Sequence, residues 1–444
     1  MTAIASLSFI YLALPLGMAV YLLCPARWRP AAVLSLSLFY LMITHPLFLL
    51  YMAGVAALDW IALLIMGKYD DNPFIRGLCL AFSLFKNLGC IFLFGGVLAV
   101  NQTSFTTMLG LYVITLSALS CVLEVYRRTI PDPGSPVHFA LYCFYFPRLA
   151  AGPLIPYRDF ARQLESPETT PGDIGGGLLS LIGGAIKLRI LGEGLLILYT
   201  DLRGVSPSDE SVIGLWVMVA ALGLSVYFHF SGVTDMARGA GRMMGITLPE
   251  NFRHPFESTS ITDFFGRFNA SLTDYVIHVF GPRFAALSRP LAGASGLMVI
   301  ALAGGLWFGF SFGRIAWGIF LGLFLVMERY LYPAFVRASH KLLALVYTQV
   351  IVLVSFVLFD ARDFDQLAGL ARGLFGMGNL PLDSERLIYL LSSNRLLLVA
   401  GVLFATSTAG RLFALLRERS LIGYRIAGGL SGILLLILLT AFAI

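Results

Sequence analysis

The sequence predicts an all-α, polytopic integral membrane protein, a helical bundle with about 11 or 12 transmembrane helices plus re-entrant or interfacial segments. Of the 444 residues, 58% are hydrophobic and only 13% are charged, and the mean hydropathy is +0.83. A water-soluble fold cannot bury so large an apolar share. Apolar runs of roughly 20 residues, long enough to cross a hydrocarbon core of about 30 Å as helix, recur along the whole chain.

The predicted spans follow one another without a polar linker, so we expect a single integral membrane domain, residues 1–444. The first run lacks the basic flank and the small-residue cleavage site of a secretory signal, and we expect it to be retained as the first span. The spans are predicted at about residues 4–24, 31–45, 47–66, 77–100, 107–125, 174–200, 212–230, 291–311, 313–333, 342–359, 391–410 and 422–443.

Charged residues in the loops predict the orientation of the chain. With the N-terminus outside, the basic loops all face the cytoplasm, as the positive-inside rule requires. The opposite side receives the acidic stretch near residues 201–210 and the carboxylate-rich segment 360–386. Topology therefore accounts for the net charge of +6, and we expect no nucleic-acid partner.

Two regions interrupt the pattern of regular spans. Residues 136–160 are apolar but contain Pro147, Gly152, Pro153 and Pro156, so a re-entrant or interfacial segment is predicted there. Residues 231–290 have mixed polarity and are predicted to lie on the cytoplasmic side. Because this second region contains most of the polar groups with chemical potential, any reaction is expected to centre on it.

Five short elements occur in order between residues 140 and 365. The first resembles FFPxLxAGPI (Tyr145 to Ile155), and the second resembles DFSGYSDMAxGxGRMxGxxLPENF (His229 to Phe252). The others resemble DFWRRWHxSL (Asp263 to Leu272), GLWHG (Gly305 to Gly309) and FFRA (Phe359 to Arg362). In this order the elements resemble the membrane-bound O-acyltransferase (MBOAT) family, in its bacterial branch of alginate O-acetylases and teichoic-acid D-alanyl transfer proteins.

The resemblance implies an MBOAT-like bundle around a central cavity, with an MBOAT-like core at residues 140–365, in a bacterial cytoplasmic (inner) membrane. It also implies that the family's presumed catalytic histidines fall at Asn269 and Phe308 of this chain. Pocket or motif residues implied in the same way are Asp235, Arg238, Arg242, Glu250, Asn251, Arg267, Ser271 and Trp307.

The two substituted positions bear on the reaction. A neutral imidazole can take a proton from an attacking hydroxyl near neutral pH. The carboxamide of Asn269 can form hydrogen bonds but cannot take up a proton at neutral pH. The benzene ring of Phe308 can do neither of these. His229, where the family pattern has Asp, is the least poor candidate for a relocated base, although a structural helix-end histidine is the more ordinary interpretation. For His278 the structural interpretation is stronger still.

Other ionisable and sulfur-containing groups suggest no cofactor chemistry. Asp59 and Glu193 lie within or beside apolar runs, so each is a functional candidate or a member of a structural salt bridge, for Glu193 with Lys187 or Arg189. The five cysteines are interpreted as small core residues. No metal-ligand spacing occurs, so we predict no metal and no bound cofactor, with acyl-CoA or an acyl carrier as donor if the protein is active.

Three functions remain open. The first is a divergent MBOAT-like protein of a cell-surface polysaccharide or polymer O-acetylation pathway that lacks histidine-based catalysis and serves as a scaffold, channel or partner subunit. The second is an active O-acyltransferase that uses His229 or substrate-assisted transfer, and the third is a transporter or flippase of a lipid-linked or acyl intermediate. Expected partners are membrane lipids and a cell-surface polysaccharide or periplasmic acyl-transfer proteins.

Overall fold

The computed structural model describes most of the chain as helix. The described residues are 14–44, 46–93, 105–149, 152–165, 169–204, 210–286, 290–331, 340–377 and 379–411, with residues 415 and 432. Within these ranges there is no β-strand, and one isolated bridge joins Phe252 to Phe268. The predicted all-α class is confirmed.

The chain folds as two compact units. Unit 1 comprises Met1–Gly183 and Val233–Glu250, and unit 2 comprises Gly184–Gly232 and Asn251–Ile444. The single membrane domain and its central cavity stay predictions.

The helices before and across the first boundary between the units are α1 (Leu14–Leu23), α2 (Arg29–Thr44), α3 (Pro46–Lys68), α4 (Pro73–Phe92), α5 (Phe105–Tyr126), α6 (Pro136–Phe144), α7 (Phe146–Leu149), α8 (Tyr157–Glu165) and α9 (Pro171–Ile186). In unit 1, helices α3, α4 and α5 pack against one another, and α6 packs against α2 and α5. The predicted break at residues 136–160 is visible as three helices, none longer than nine residues and so none able to span a bilayer. The depth of this segment in the membrane stays a prediction.

A buried ion pair lies in the core of unit 1. Asp59 on α3 is fully buried, and its Oδ2 accepts from Lys86 Nζ at 2.7 Å. Ser83 Oγ donates to Asp59 Oδ1 at 2.6 Å, and the Asn87 amide donates to both oxygens at 3.0 and 3.3 Å. Both carboxylate oxygens therefore have donors, which favours the salt-bridge interpretation of Asp59 over a functional one.

The remaining helices are α10 (Glu193–Arg203), α11 (Val212–Met243), α12 (Ile261–Arg267), α13 (Ala270–Ala286), α14 (Pro290–Leu306), α15 (Phe312–Tyr330), α16 (Lys341–Asp360), α17 (Phe364–Leu374), α18 (Glu385–Ser393) and α19 (Arg395–Ala405). A π-helical turn, Lys187–Gly192, joins α9 to α10. In unit 2, α14 packs against α13 and α15, and α15 packs against α16.

Helix α11 runs to Met243, although the apolar pattern places the end of its span near residue 230. The extension stays helical because its charged residues, Asp235, Arg238 and Arg242, recur on one face while Met236 and Ala240 are buried on the other. The Gly-Ile-Thr-Leu-Pro segment follows, with Gly245 at φ +70°.

Length and hydropathy identify five described helices that can cross a membrane: α3, α4, the Leu109–Tyr126 part of α5, α11 and α16. Helices α18 and α19 would form a sixth span, bent by 64°, where the sequence predicts one regular span at 391–410. Of the span predicted at 4–24 the structure describes residues 14–24, which include α1, and of the span predicted at 422–443 it describes residue 432 alone.

Candidate functional site

Asn269, one of the two positions where the resemblance expects a catalytic histidine, is held in unit 2 by Asn251. The Asn251 amide nitrogen donates to Asn269 Oδ1 at 2.9 Å, and Asn251 Oδ1 accepts from the backbone N–H of Ser271 at 2.9 Å. The backbone N–H of Ala270 donates to the Asn251 carbonyl, also at 2.9 Å. All these residues are buried. Asn251 is thus hydrogen-bonded to the start of α13.

The backbone around Asn269 explains why an asparagine fits there. Asn269 has φ +55°, a left-handed conformation that asparagine and histidine tolerate better than most residues. The preceding helix, α12, ends at Arg267, whose carbonyl accepts from the N–H of Arg253 at 2.9 Å. The Arg267 side chain is part-exposed and pairs with Asp263 at 2.7 Å. The predicted motif residues Asn251, Arg267, Asn269 and Ser271 are therefore brought together, as a hydrogen-bonded corner.

Phe308, the second such position, lies among aromatic side chains in unit 2. Its ring centroid is 4.6 Å from that of Phe230, 5.3 Å from Phe359, 6.2 Å from Phe268 and 6.3 Å from Trp317. Only 2% of Phe308 is exposed, and its neighbour Trp307 is also buried. Both residues form the turn that follows α14, where the N–H of Phe308 donates to the Gly305 carbonyl at 3.1 Å.

The two positions are close in space through Phe268, which precedes Asn269 in the chain and contacts the Phe308 ring. At the first position the side chain is the Asn269 carboxamide, whose oxygen already accepts a hydrogen bond from Asn251. At the second it is the Phe308 ring, which packs in a cluster of aromatic rings. Neither group can accept a proton at neutral pH. The arrangement can orient or exclude a ligand, and proton transfer would require another residue.

His229 on α11 is oriented by a backbone carbonyl. Its Nδ1 lies 2.8 Å from the carbonyl oxygen of Ser225, and because a carbonyl can only accept, Nδ1 is the donor; in the neutral imidazole the lone pair is then on Nε2. The imidazole faces Gly192 at the end of the π-helical turn, where an added Cβ would lie 2.8 Å from Nδ1. Ser225 Oγ in turn donates to the Gly192 carbonyl at 2.9 Å. Near this turn, Glu193 pairs with Arg189 at 2.8 Å, one of the two predicted partners.

The charged motif residues of α11 lie in unit 1. Arg238 contacts Asp235 at 3.2 Å and Glu250 at 4.0 Å, and Arg242 contacts Asp173 at 3.1 Å. Hydrogen bonds from Thr170, and then from Arg242, hold the pKa of Asp173 below its ordinary value. These ion pairs connect the end of α11 to neighbouring segments of unit 1. Because they are part-exposed, each contributes little to stability.

Sequence reasoning missed two buried glutamates. Glu328 on α15 accepts from the N–H groups of Ile261 and Thr262, at 2.7 and 3.0 Å, and so caps α12. Glu124 on α5 accepts from the N–H groups of Tyr157 and Arg158, at 2.8 and 2.9 Å, and so caps α8. The sequence signal that could have identified them is the position of each glutamate near the end of an apolar run, where a charge is costly unless it has partners. No three metal-ligating side chains cluster within the part of the chain that the structure describes, and the absence of a metal stays a prediction.

Comparison with known proteins identifies relatives of this chain. Residues 78–344 match the family model described as MBOAT, membrane-bound O-acyltransferase family. A probable alginate O-acetylase, AlgI, of Azotobacter vinelandii is 28% identical over 394 residues, 84% of this chain and 78% of the relative.

Two further relatives act, by their names, on other polymers. A peptidoglycan O-acetyltransferase of Helicobacter pylori is 26% identical over 252 residues, 55% of this chain and 47% of the relative. A teichoic acid D-alanyltransferase of Bacillus subtilis is 24% identical over 281 residues, 58% of this chain and 70% of the relative. Since the family model covers more than half of the sequence, this multi-pass chain belongs to the membrane-bound O-acyltransferase family.

Proposed function

We propose that this protein serves the O-acetylation of a cell-surface polysaccharide or related polymer, in a bacterial cytoplasmic membrane, without the family's histidine-based transfer. The relatives named for alginate, peptidoglycan and teichoic acid support the pathway. In this proposal the chain acts as a supporting subunit, a scaffold or channel for a separate acyl-transfer protein. Its partners are then membrane lipids, the polymer and that transfer protein.

The observation on which the proposal rests is how Phe308 and Asn269 are held. A side chain that only filled space after losing a catalytic role would have no need of specific contacts. The ring of Phe308 instead packs against other aromatic rings, and Asn269 is the acceptor in a buried side-chain hydrogen bond. Residues so integrated into packing favour a site rebuilt for stability over one poised for proton transfer.

Complementation tests the proposal. The gene is deleted in its host, the O-acetyl content of the surface polymer is measured, and the strain receives the wild type, His229→Ala, or Asn269→His with Phe308→His. We expect the wild type and His229→Ala to restore acetylation equally, and the double histidine variant to give no gain. His278→Ala is the matched control, and immunoblots verify equal protein levels. Acetylation that is unchanged by the deletion would remove the pathway assignment.

The second candidate is an active O-acyltransferase with His229 as base, and the tautomer favours it. With Nδ1 bonded to Ser225, Nε2 is the available proton acceptor, as in a general base oriented by a backbone carbonyl. The adjacent π-helical turn is a feature frequent at functional sites. An acyl-CoA or acyl carrier would be its donor. Loss of acetylation in His229→Ala, at normal protein level and with His278→Ala active, would replace the first proposal by this one.

A further inference from the structure

Arg148 is a fully buried cation in the broken segment of unit 1, outside every site considered so far. It lies on α7, and none of its side chain is exposed. It occupies the position that the FFPxLxAGPI pattern leaves unspecified. A charge in such a place is costly unless a partner neutralises it.

The hydrogen bonds of Arg148 leave part of its guanidinium unused. Nη2 donates to Ser117 Oγ at 3.0 Å and to the carbonyl oxygen of Tyr142. Nε and Nη1 are buried without an acceptor. Among the described residues no carboxylate lies within salt-bridge distance of this guanidinium. No carboxylate of the described residues therefore pairs directly with this guanidinium, and two of its nitrogens lack an acceptor.

The surroundings of the guanidinium contain a further unused donor. Its central carbon lies over the Tyr142 ring, 4.6 Å from the centroid, and over the Phe160 ring, 5.3 Å from the centroid. Tyr145 packs against the same Phe160 ring at 5.5 Å, and its hydroxyl is buried without a hydrogen-bond partner. Unsatisfied donors from two side chains therefore lie against the same Phe160 ring, and the guanidinium among them has no directly paired carboxylate.

We propose that Arg148 and Tyr145 form a binding site for a carboxylate carried by a small molecule. A single carboxylate neutralises one guanidinium, and its two oxygens accept the N–H donors and a tyrosine hydroxyl. A phosphate dianion would leave net negative charge in the core of unit 1. The aromatic rings around the guanidinium favour a small headgroup, such as free acetate or the head of an acyl chain.

The test is thermal unfolding of the purified full-length protein in detergent, with sodium acetate or sodium octanoate added against sodium chloride at equal ionic strength. Ligands that bind only the native state raise Tm in proportion to the logarithm of their concentration once they exceed Kd. We expect acetate to raise Tm and inorganic phosphate not to. A rise with octanoate at lower concentrations than with acetate would identify an acyl-chain carboxylate as the source, and a rise with acetate alone a free short-chain one.

Three variants locate the response. Arg148→Met abolishes it and, without carboxylate, is at least as stable as the wild type because an unpaired buried charge is gone. Tyr145→Phe weakens the apparent affinity about tenfold, as the loss of one hydrogen bond to a charged group does. Arg162→Met, an exposed arginine on α8, responds as the wild type does. If Arg148→Met does not fold, Tyr145→Phe, which retains the charge, decides.

A wild-type Tm that is independent of carboxylates would overturn the proposal. So would an equal response to phosphate or chloride, or an unchanged response in Tyr145→Phe.

Discussion

Replacing Asn251 with alanine tests whether the motif corner is a structural device. The change leaves two buried polar groups, Asn269 Oδ1 and the Ser271 N–H, without their partners. Each unsatisfied buried group costs about 1–3 kcal/mol, so we expect a loss of about 2–5 kcal/mol in the free energy of unfolding. Arg267→Ala is the matched control, because it removes only a part-exposed ion pair with Asp263 and costs less than about 1 kcal/mol.

The assay is an unfolding titration of purified protein in mixed micelles, repeated for Asn269→Ala and for the double variant. Asn269→Ala adds the strain of an alanine at φ +55° to the lost hydrogen bond. Because the two asparagines share one bond, their losses are not additive, and we expect a coupling energy of about 0.5–3 kcal/mol. If Asn251→Ala is as stable as Arg267→Ala, or if the coupling is zero, the structural role of this corner is refuted.

Three further predictions concern packing, capping and pH, each measured as thermal stability in detergent. Gly239→Ala places a methyl 2.7 Å from the backbone nitrogen of Leu181, so we expect it to lower the free energy of unfolding by about 1–3 kcal/mol. Gly183→Ala, where an added Cβ meets nothing within 4 Å, is the control and is expected to be neutral. Equal losses of stability in the two variants would contradict the close approach of α9 and α11. Glu328→Gln removes the charge that caps α12 and costs about 1–3 kcal/mol, and Glu250→Gln, which is half exposed, is its control. Burial acts to raise the pKa of Glu257, but hydrogen bonds from Ser407 hold it below its ordinary value of 4.5. That stabilisation is present above pH 4.5 and is lost as pH falls through the lowered value, so Glu257→Gln should flatten the acid side of the stability profile, and an unchanged profile would contradict the role of Ser407.

Hydropathy predicted the regular spans because burial in lipid depends on summed side-chain polarity, which is a local property of sequence. The span predicted at 47–66 is helix α3, Pro46–Lys68, and that at 342–359 is helix α16, Lys341–Asp360. The same sum does not report a bend, so the 64° break at Asn394 was not predicted. It also does not distinguish the end of an apolar span from the end of a helix. For that reason hydropathy placed the end of the span near residue 230, whereas helix α11 continues to Met243.

The motifs include Asn251, Asn269 and Ser271, which the structure brings together, but they do not reveal how these residues are bonded. Asn251 and Asn269 are 18 positions apart, and their contact depends on the left-handed backbone at Asn269, which no periodicity reveals. Arg148 is the reverse example. A charge within an apolar run is a functional candidate from sequence alone, yet its unpaired donors become evident only from the residues that surround it.

The proposed function depends on Asn269 and Phe308, which stand where the resemblance implies catalytic histidines. The most direct measurement is the rate at which the purified protein, supplied with an acetyl donor and a soluble hydroxyl acceptor from the polymer, forms an acetyl ester. We predict a rate no higher than without protein, for the wild type and for Phe308→Ala alike. Ester formation at the rate of an active alginate O-acetylase assayed alongside would contradict the proposed function.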